Sequence, residues 1–446
     1  MSLKRFLVPC KSFIKNLIKR YFTTNEIIKG FVISVFISNF IFLGFLSENF
    51  GGIFDNLFLE FISPFIAIYG FYKLFNCNKT AFFFTGFFIG ILWFYWISFS
   101  LKFYGLRFLI PLEILFIAFV YGILFLICGW LNNKFYKMIM LLLISYFYPF
   151  NFNWLNLELV LMPGIFEPNI RGLAFIFLGI IALYEIKNKF KKAFIFIVCL
   201  CFSLQIFENY SYDFGFKTKL VNTTISQDIK WLNEYKNPQI NAVLKEIDEA
   251  IKNNFEFIIF PENAIVAYLN LEKNLEKELK EKSFQISILT GALAFENNQI
   301  YNSAFLFQNG KISRFDKYIL VPFGEEIPLP NFLKNIFNKV FFKGAEDFTK
   351  AKNVSFYEIN GAKITNAICY EATRPEIYKN SPNFVVAISN NGWFVPSTEP
   401  FLQKTLIKYF ATKYNTTVYH SVNGSKSEII KPKTMWIKRV LKSFNL

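Results

Sequence analysis

The sequence predicts a multi-pass α-helical membrane sector followed by a separate α/β domain. Apolar residues crowd into the first 210 positions, and those positions divide into runs about as long as a membrane span. From about residue 215 the pattern changes to short strands alternating with charged helices. Over all 446 residues, 54% are hydrophobic and 20% aromatic. A soluble protein of this length would need more polar surface to cover its core.

Residues 1–27 are expected to form a basic interfacial segment. Basic residues interrupt its apolar stretches too often for a cleaved leader. Phe6, Leu7, Phe13, Ile14, Leu17 and Ile18 alternate with lysines instead, as in a helix lying on a membrane surface.

A membrane sector over 28–210 follows. Its seven apolar runs fall at 28–47, 57–75, 81–100, 107–131, 135–150, 169–186 and 191–208. The fifth is the weakest, because Tyr146, Tyr148 and Pro149 break it early. The N-terminus and the second, fourth and sixth loops are basic (Lys73 and Lys79; Lys134 and Lys137; Lys187, Lys189, Lys191 and Lys192). The first loop carries Glu48 and Asp55, and the fifth carries Glu158 and Glu167. The third, with Lys102 and Arg107, runs against this trend. On balance the N-terminus is expected in the cytoplasm, and an odd number of crossings places everything after residue 210 outside. Glu60 and Glu113 lie within the runs, and no His or Asp does. Ion and proton pathways need such groups, so a lipid-facing platform is favoured over a transporter.

The formal charge of +16 raises the question of nucleic acid. The excess lies in the N-terminal stretch, the short loops and the last segment (Lys431, Lys433, Lys438, Arg439, Lys442), where membrane proteins keep positive charge. The expected partner is therefore a membrane and not a nucleic acid. Of the six cysteines, Cys10, Cys77, Cys128, Cys199 and Cys201 lie in or beside the membrane sector, which leaves Cys369 alone in the second domain. That domain can hold no internal disulfide, and no zinc-ligand spacing is present.

The second domain is expected over 215–430. KTKLVNTTIS reads as a strand, 236–253 as a helix, FEFIIF as a buried strand, 269–282 as a charged helix and SFQISILTGALAF as a strand region. Two hairpins follow, turning at Asn309-Gly310 and Asn360-Gly361. FVVAISNN is a strand, 399–413 a helix, and TTVYHSVNGSKSEII the last strand region.

His420 is the chain's only histidine and sits in the strand-like VYHSVN, where a packed core residue is expected. A nucleophilic Cys369 would then take a carboxylate or a lysine as its base. Three segments bring such groups to strand ends: Glu262 after FIIFP, Lys317 in RFDKYILVPFGE, and Cys369 in ICYE. Charged groups that follow apolar strands emerge at one sheet edge, where sites are commonly built. Separations of 55 and 52 residues allow three different strands to converge.

FPENAI, FDKYILVPFGE and ICYE resemble the Glu-Lys-Cys motifs of the nitrilase superfamily of carbon–nitrogen hydrolases. The preceding membrane runs, and QDIKW ahead of the Glu motif, narrow the resemblance to the apolipoprotein N-acyltransferase family. ISNNGWF and VNGSKSEII also look like that family's later strands. The resemblance implies a nitrilase-like α-β-β-α sandwich, with Cys369 as nucleophile, Glu262 as general base and Lys317 as oxyanion stabiliser. It assigns Glu325 to assist the base, Tyr370 and Glu371 to flank the nucleophile, and Trp231 to a loop over the site.

The reaction so implied is ping-pong acyl transfer without metal or organic cofactor. The acyl donor is a phospholipid, by analogy phosphatidylethanolamine. The acceptor is the α-amine of the S-diacylglyceryl cysteine that begins an apolipoprotein. A monomer in a bacterial inner membrane, with its catalytic domain in the periplasm, is expected. A membrane-anchored amidase and a transporter or receptor with a non-catalytic outer domain are the alternatives. The stretch 328–343 (Phe332, Leu333, Ile336, Phe337, Val340, Phe341, Phe342) is expected to be a lipid-facing arm. The family ordinarily closes with a further membrane helix. Here 431–446 is too short and too basic to span, and is expected to lie on the surface through Trp436, Ile437, Val440, Leu441 and Phe444.

Overall fold

The computed structural model describes residues 24–50, 57–328 and 347–443. The interfacial expectation for residues 1–23, most of the apolar arm, and Phe444 therefore lie outside the described residues. Each apolar run contains a helix: α1 (Thr24–Phe50), α2 (Leu57–Phe75), α3 (Lys79–Phe94, continued as a 3-10 turn over Tyr95–Lys102), α4 (Ile110–Cys128), α5 (Lys134–Ile144), α6 (Ile170–Glu185) and α7 (Lys189–Phe202). Asparagine starts four of them. The side chains of Asn78, Asn133, Asn169 and Asn188 accept from main-chain N–H groups that the first turns of α3, α5, α6 and α7 leave unpaired.

Among the described residues, four helical stretches are long and apolar enough to cross a membrane: Thr24–Asn49, Leu57–Phe75, Lys79–Lys102 and Arg107–Cys128. Helices α5, α6 and α7, with 11, 16 and 14 residues, are shorter than a straight crossing needs. Gly86 and Gly90, one turn apart on α3, face Ala118, Tyr121 and Phe125 of α4 so closely that a methyl group at either would collide. Close approach through small residues is how helices gain contact where lipid removes the hydrophobic drive to associate.

Two stacked sheets form the second domain. The first has strand order β1 (Thr218–Leu220), β2 (Phe257–Ile259), β4 (Ser287–Glu296), β5 (Gln299–Gln308), β6 (Lys311–Asp316), with β3 (Ile265–Tyr268) paired to β4. The second runs β11 (Glu428–Ile430), β10 (Thr417–Asn423), β9 (Phe384–Asn390), β8 (Ala362–Ile368), β7 (Phe356–Ile359). β1, β2 and β4 are mutually parallel, as are β8, β9 and β10, so these strand ends point to one edge. Both foreseen hairpin turns carry two positive φ values, 52° and 74° at Asn309-Gly310 and 49° and 82° at Asn360-Gly361. These match the right-handed twist of the strands they join.

Phe257, Ile259, Leu289 and Leu306 of one sheet meet Ile364, Ile368, Val386 and Ile388 of the other. α9 (Asn233–Lys252) and α10 (Lys273–Lys282) cover the outer face of the first sheet through Val243, Ile247, Leu275 and Leu279. α12 (Glu399–Tyr414), which follows the short α11 (Pro375–Tyr378), covers the second, with Leu402, Leu406 and Ile407 in one apolar cluster with Phe40, Trp93 and Phe166 of the membrane sector. The sandwich is thus α-β-β-α, and its second helix layer shares a core with the membrane helices. The tail forms α13 (Trp436–Ser443), which leaves Ile437 and Leu441 exposed. The Trp436 ring lies 4.9 Å from that of Phe61 on α2.

Candidate active site

Glu262 stands just past β2, Lys317 just past β6 and Cys369 just past β8. Lys317 is fully buried and lies between two glutamates. Its Nζ is 3.6 Å from Glu262 Oε1 and 2.9 Å from each oxygen of Glu325. Burial works against the Lys317 charge, but Glu325, Glu262 and Cys369 outweigh it and raise the pKa above the ordinary lysine value. Lys317 is therefore a fixed cation throughout the physiological range.

Cys369 is half-buried and has φ of 55°, a left-handed conformation that ordinary side chains rarely adopt. The turn is held by Glu371. One of its oxygens accepts from Ile368 N at 2.6 Å, the other from Tyr318 N at 2.6 Å and Ile319 N at 3.0 Å. Glu371 thereby ties the strand before Cys369 to the loop after Lys317. Burial pushes its carboxyl up to about 7, although these donors and Lys317 pull the other way. Burial also pushes the Cys369 thiol well above its usual value, with Glu262 adding to the rise while Lys317 and the main chain at Asn390 oppose it. The resting thiol is protonated at neutral pH, so attack by sulfur requires a proton acceptor.

Two further residues complete this arrangement. Asn302 on β5 is buried and uses its Nδ2 to donate to both Glu262 Oε1, at 2.7 Å, and Glu325 Oε1, at 2.9 Å. Lys230, at the end of α8 (Gln227–Lys230), is buried and donates to the Glu262 carbonyl at 3.3 Å. Burial holds its ammonium down to about 8, against the pull of the Glu262 charge. Sequence signals existed for both: Asn302 opens the hairpin segment NSAFLFQ, and Lys230 stands inside QDIKW. Neither motif says which carboxylate such a residue would meet.

The other expected site residues are distributed around this centre. Trp231 caps α8 with a half-exposed ring, and among the described residues no hydrogen bond or ring contact joins it to Glu262, Lys317 or Cys369. Tyr370 turns toward the membrane sector. Its hydroxyl donates to Asn151 O at 2.9 Å and its ring stacks on Phe152 at 6.0 Å. Beside it, Asn153 Nδ2 donates to Thr373 O at 2.6 Å and Trp154 Nε1 to Thr373 Oγ1 at 2.8 Å. A loop of the membrane sector thus supports the turn that carries Cys369. His420 is buried, with Nε2 2.8 Å from Ser389 Oγ, and burial pushes its pKa down to about 3. Among the described residues no group of three or more His, Cys, Asp or Glu side chains could hold a metal ion.

Residues 24–206 match the model of the apolipoprotein N-acyltransferase integral membrane domain, and 224–412 that of the carbon-nitrogen hydrolases. The chain is 38% identical over 441 residues to an apolipoprotein N-acyltransferase of Campylobacter jejuni, covering 98% of this chain and 97% of that one. The chain belongs to the apolipoprotein N-acyltransferase family. Two other members are similar to it. That of Wolinella succinogenes is 40% identical over 78% of this chain and 84% of its own length. That of Helicobacter pylori is 35% identical over 79% and 84%. Membership makes the chain a bacterial membrane protein and an acyltransferase of the carbon–nitrogen hydrolase superfamily that acts in lipoprotein N-acylation.

Proposed function

We propose that this apolipoprotein N-acyltransferase works by ping-pong transfer through a thioester on Cys369. The observation that carries the reading is the placement of Lys317 against Glu262 and Glu325, where all three charges act on the Cys369 thiol. Glu262 takes the thiol proton as sulfur attacks the ester carbonyl of a phospholipid, by family analogy phosphatidylethanolamine. Lys317 meets the oxyanion of the tetrahedral intermediate, an interaction typically worth roughly 3–4 kcal/mol. Collapse expels the lysophospholipid alkoxide, which recovers the proton from Glu262 and leaves the acyl group on sulfur. The α-amine of an S-diacylglyceryl cysteine then attacks the thioester, forms the amide and returns the thiol. Glu325 and Asn302 hold Glu262 and Lys317 in register, Glu371 and Tyr370 hold the Cys369 turn, and Trp231 closes the site from its loop.

In this reading residues 28–210 embed a monomer in the inner membrane, and residues 215–430 face the periplasm. Residues 431–443 lie at the membrane surface, and the N-terminus is cytoplasmic. Labelling a cysteine placed at exposed Lys277 with a membrane-impermeant thiol reagent in intact cells tests the sidedness.

The mechanism is tested with purified enzyme in detergent and phosphatidylethanolamine. Mass spectrometry of the Cys369 peptide should show a fatty-acyl adduct that a diacylglyceryl peptide discharges. Absence of the adduct in wild type, or its persistence in Cys369→Ser, rules the mechanism out. Discharge to water alone identifies an amidase instead.

A further inference from the structure

We infer that Lys230 is a positioning residue for acylation, the end of a strap over residues 223–230 that holds Glu262 of the first sheet against Asn390 of the second, beside Cys369. This role rests on the reading of Cys369 as nucleophile and Glu262 as its base.

The two groups stand on different sheets, Glu262 just past β2 and Cys369 just past β8, so something must fix their separation. Glu371 already ties the loop after Lys317 to the Cys369 turn. A second tie reaches Glu262. Residues 223–230 start on the second sheet and end on the first. Thr223 forms a bridge with Asn423 at the end of β10, and Thr223 Oγ1 and Ile225 N both donate to Asn423 Oδ1 at 2.8 Å. Asn423 Nδ2 donates in turn to Asn390 Oδ1 at 2.7 Å, and Asn390 Nδ2 to Gln227 Oε1 at 3.1 Å. Ile368 pairs with Ile388, which sets Cys369 next to the last residues of β9. At the far end of α8, Lys230 Nζ donates to Glu262 O at 3.3 Å. Gln239 Nε2 of α9 fixes the Lys230 main chain by donating to its carbonyl at 2.9 Å. Gln227, Lys230, Asn390 and Asn423 are all buried, so water does not compete for these bonds.

Stability does not account for a lysine here. Its side chain is 1% exposed, and among the described residues its ammonium has the Glu262 carbonyl as its single hydrogen-bond partner. An apolar side chain of similar volume in place of a buried charge is often neutral or stabilising. What the ammonium adds is direction. It draws on the main chain of Glu262 just where the next residue, Asn263, takes a left-handed turn with φ of 50°. A misplacement of about 1 Å between reacting groups can slow a reaction on the order of a hundredfold.

The test uses full-length enzyme in detergent with phosphatidylethanolamine and time-resolved mass spectrometry of the Cys369 peptide. Lys230→Met keeps the length of the side chain and removes its donors. Its maximal rate of acylation should fall about tenfold, the loss expected for one charge-assisted hydrogen bond, with the half-saturating lipid concentration unchanged. Its melting midpoint should not fall. Gln227→Leu releases the strap from Asn390 and should slow acylation about fivefold, as for a neutral hydrogen bond. Two ties in series act as one, so the double variant should be about as slow as Lys230→Met alone. A wild-type rate in Lys230→Met overturns the proposal, as does a loss of rate that tracks a lowered melting midpoint. Slowing of about fiftyfold in the double variant also overturns it, since independent ties multiply. Should Lys230→Met melt too early to measure, a wild-type rate in Gln227→Leu overturns the proposal in its place. Alkylation of Cys369 by iodoacetamide is followed in parallel, because it needs the thiol deprotonated but no lipid. Absence of the acyl adduct in wild type would reject the thioester, whereas alkylation of Lys230→Met at the wild-type rate would reject the role of Lys230.

Discussion

The main-chain N–H of Lys317 donates to the carbonyl of Asn302 over 2.9 Å, and the same asparagine's amide bridges the two carboxylates that flank the lysine's ammonium. One residue thus sets both where the Lys317 side chain begins and what it meets at its tip.

Asn302→Leu should therefore slow thioester formation about 10- to 100-fold, the loss expected for a buried hydrogen bond to charged groups. Asn302→Asp should be worse, since a third carboxylate beside Glu262 and Glu325 makes one of them take up a proton. Time-resolved intact-protein mass spectrometry of the Cys369 acyl adduct measures both rates. An Asp variant as fast as the Leu variant would contradict the charge argument.

Gly291 on β4 gives a second handle on Glu262. A methyl group there would lie 2.6 Å from Glu262 Cα and 2.5 Å from Asn263 N, with main chain on both sides and no flexible side chain to yield. Gly291→Ala should displace Glu262, at a cost of about 1–3 kcal/mol in stability. Activity should fall by much more than the lowered melting temperature accounts for.

Glu371→Gln should destabilise the Cys369 turn. Glutamine offers one carbonyl oxygen where the structure uses two, so either Ile368 N or the Tyr318 and Ile319 N–H groups would face an NH2. The unsatisfied donors should cost about 1–3 kcal/mol. Thermal melting in detergent should show a lower midpoint, and acylation of Cys369 should fall with it.

His420 predicts a pH dependence of stability. Its pKa falls from 6.5 to about 3 on folding, so the unfolded chain binds a proton that the folded chain refuses. The stability it contributes is complete above pH 6.5 and is lost as pH falls toward 3. The chain has a single histidine, so the difference between wild type and His420→Gln isolates the effect. Glutamine can keep the bond to Ser389. The melting midpoint of wild type should fall more steeply on acidification than that of the variant, and parallel curves would remove His420 as the cause.

The elements visible in the sequence were those with local signatures. Asn-Gly pairs announced two hairpins, and Pro149 marked where the fifth run stops, with α5 ending at Ile144. The turn joining β4 to β5 went unseen because it is Asn297-Asn298, with φ of 50° and 61°, where no glycine signals positive φ. Strand β3 is only four residues, too short for its period to show. Run length counted seven candidate crossings, but α5 and α7 stop at Ile144 and Phe202, before their runs end, and α6 fills a run too short for a straight crossing. In the site, strand ends pointed to Glu262, Lys317 and Cys369. Asn302 and Lys230 act through partners 40 and 32 residues away, a separation that no local pattern encodes.

The bonds from Asn151, Asn153 and Trp154 to the Cys369 turn bear on how the protein is made. An excised soluble fragment would leave those contacts behind, because they arrive from the segment between α5 and α6. A ribosome releases the two halves in order, so the later one emerges beside a partner that is already made. A chain freed of its membrane half should therefore hold Cys369 less firmly in its left-handed turn.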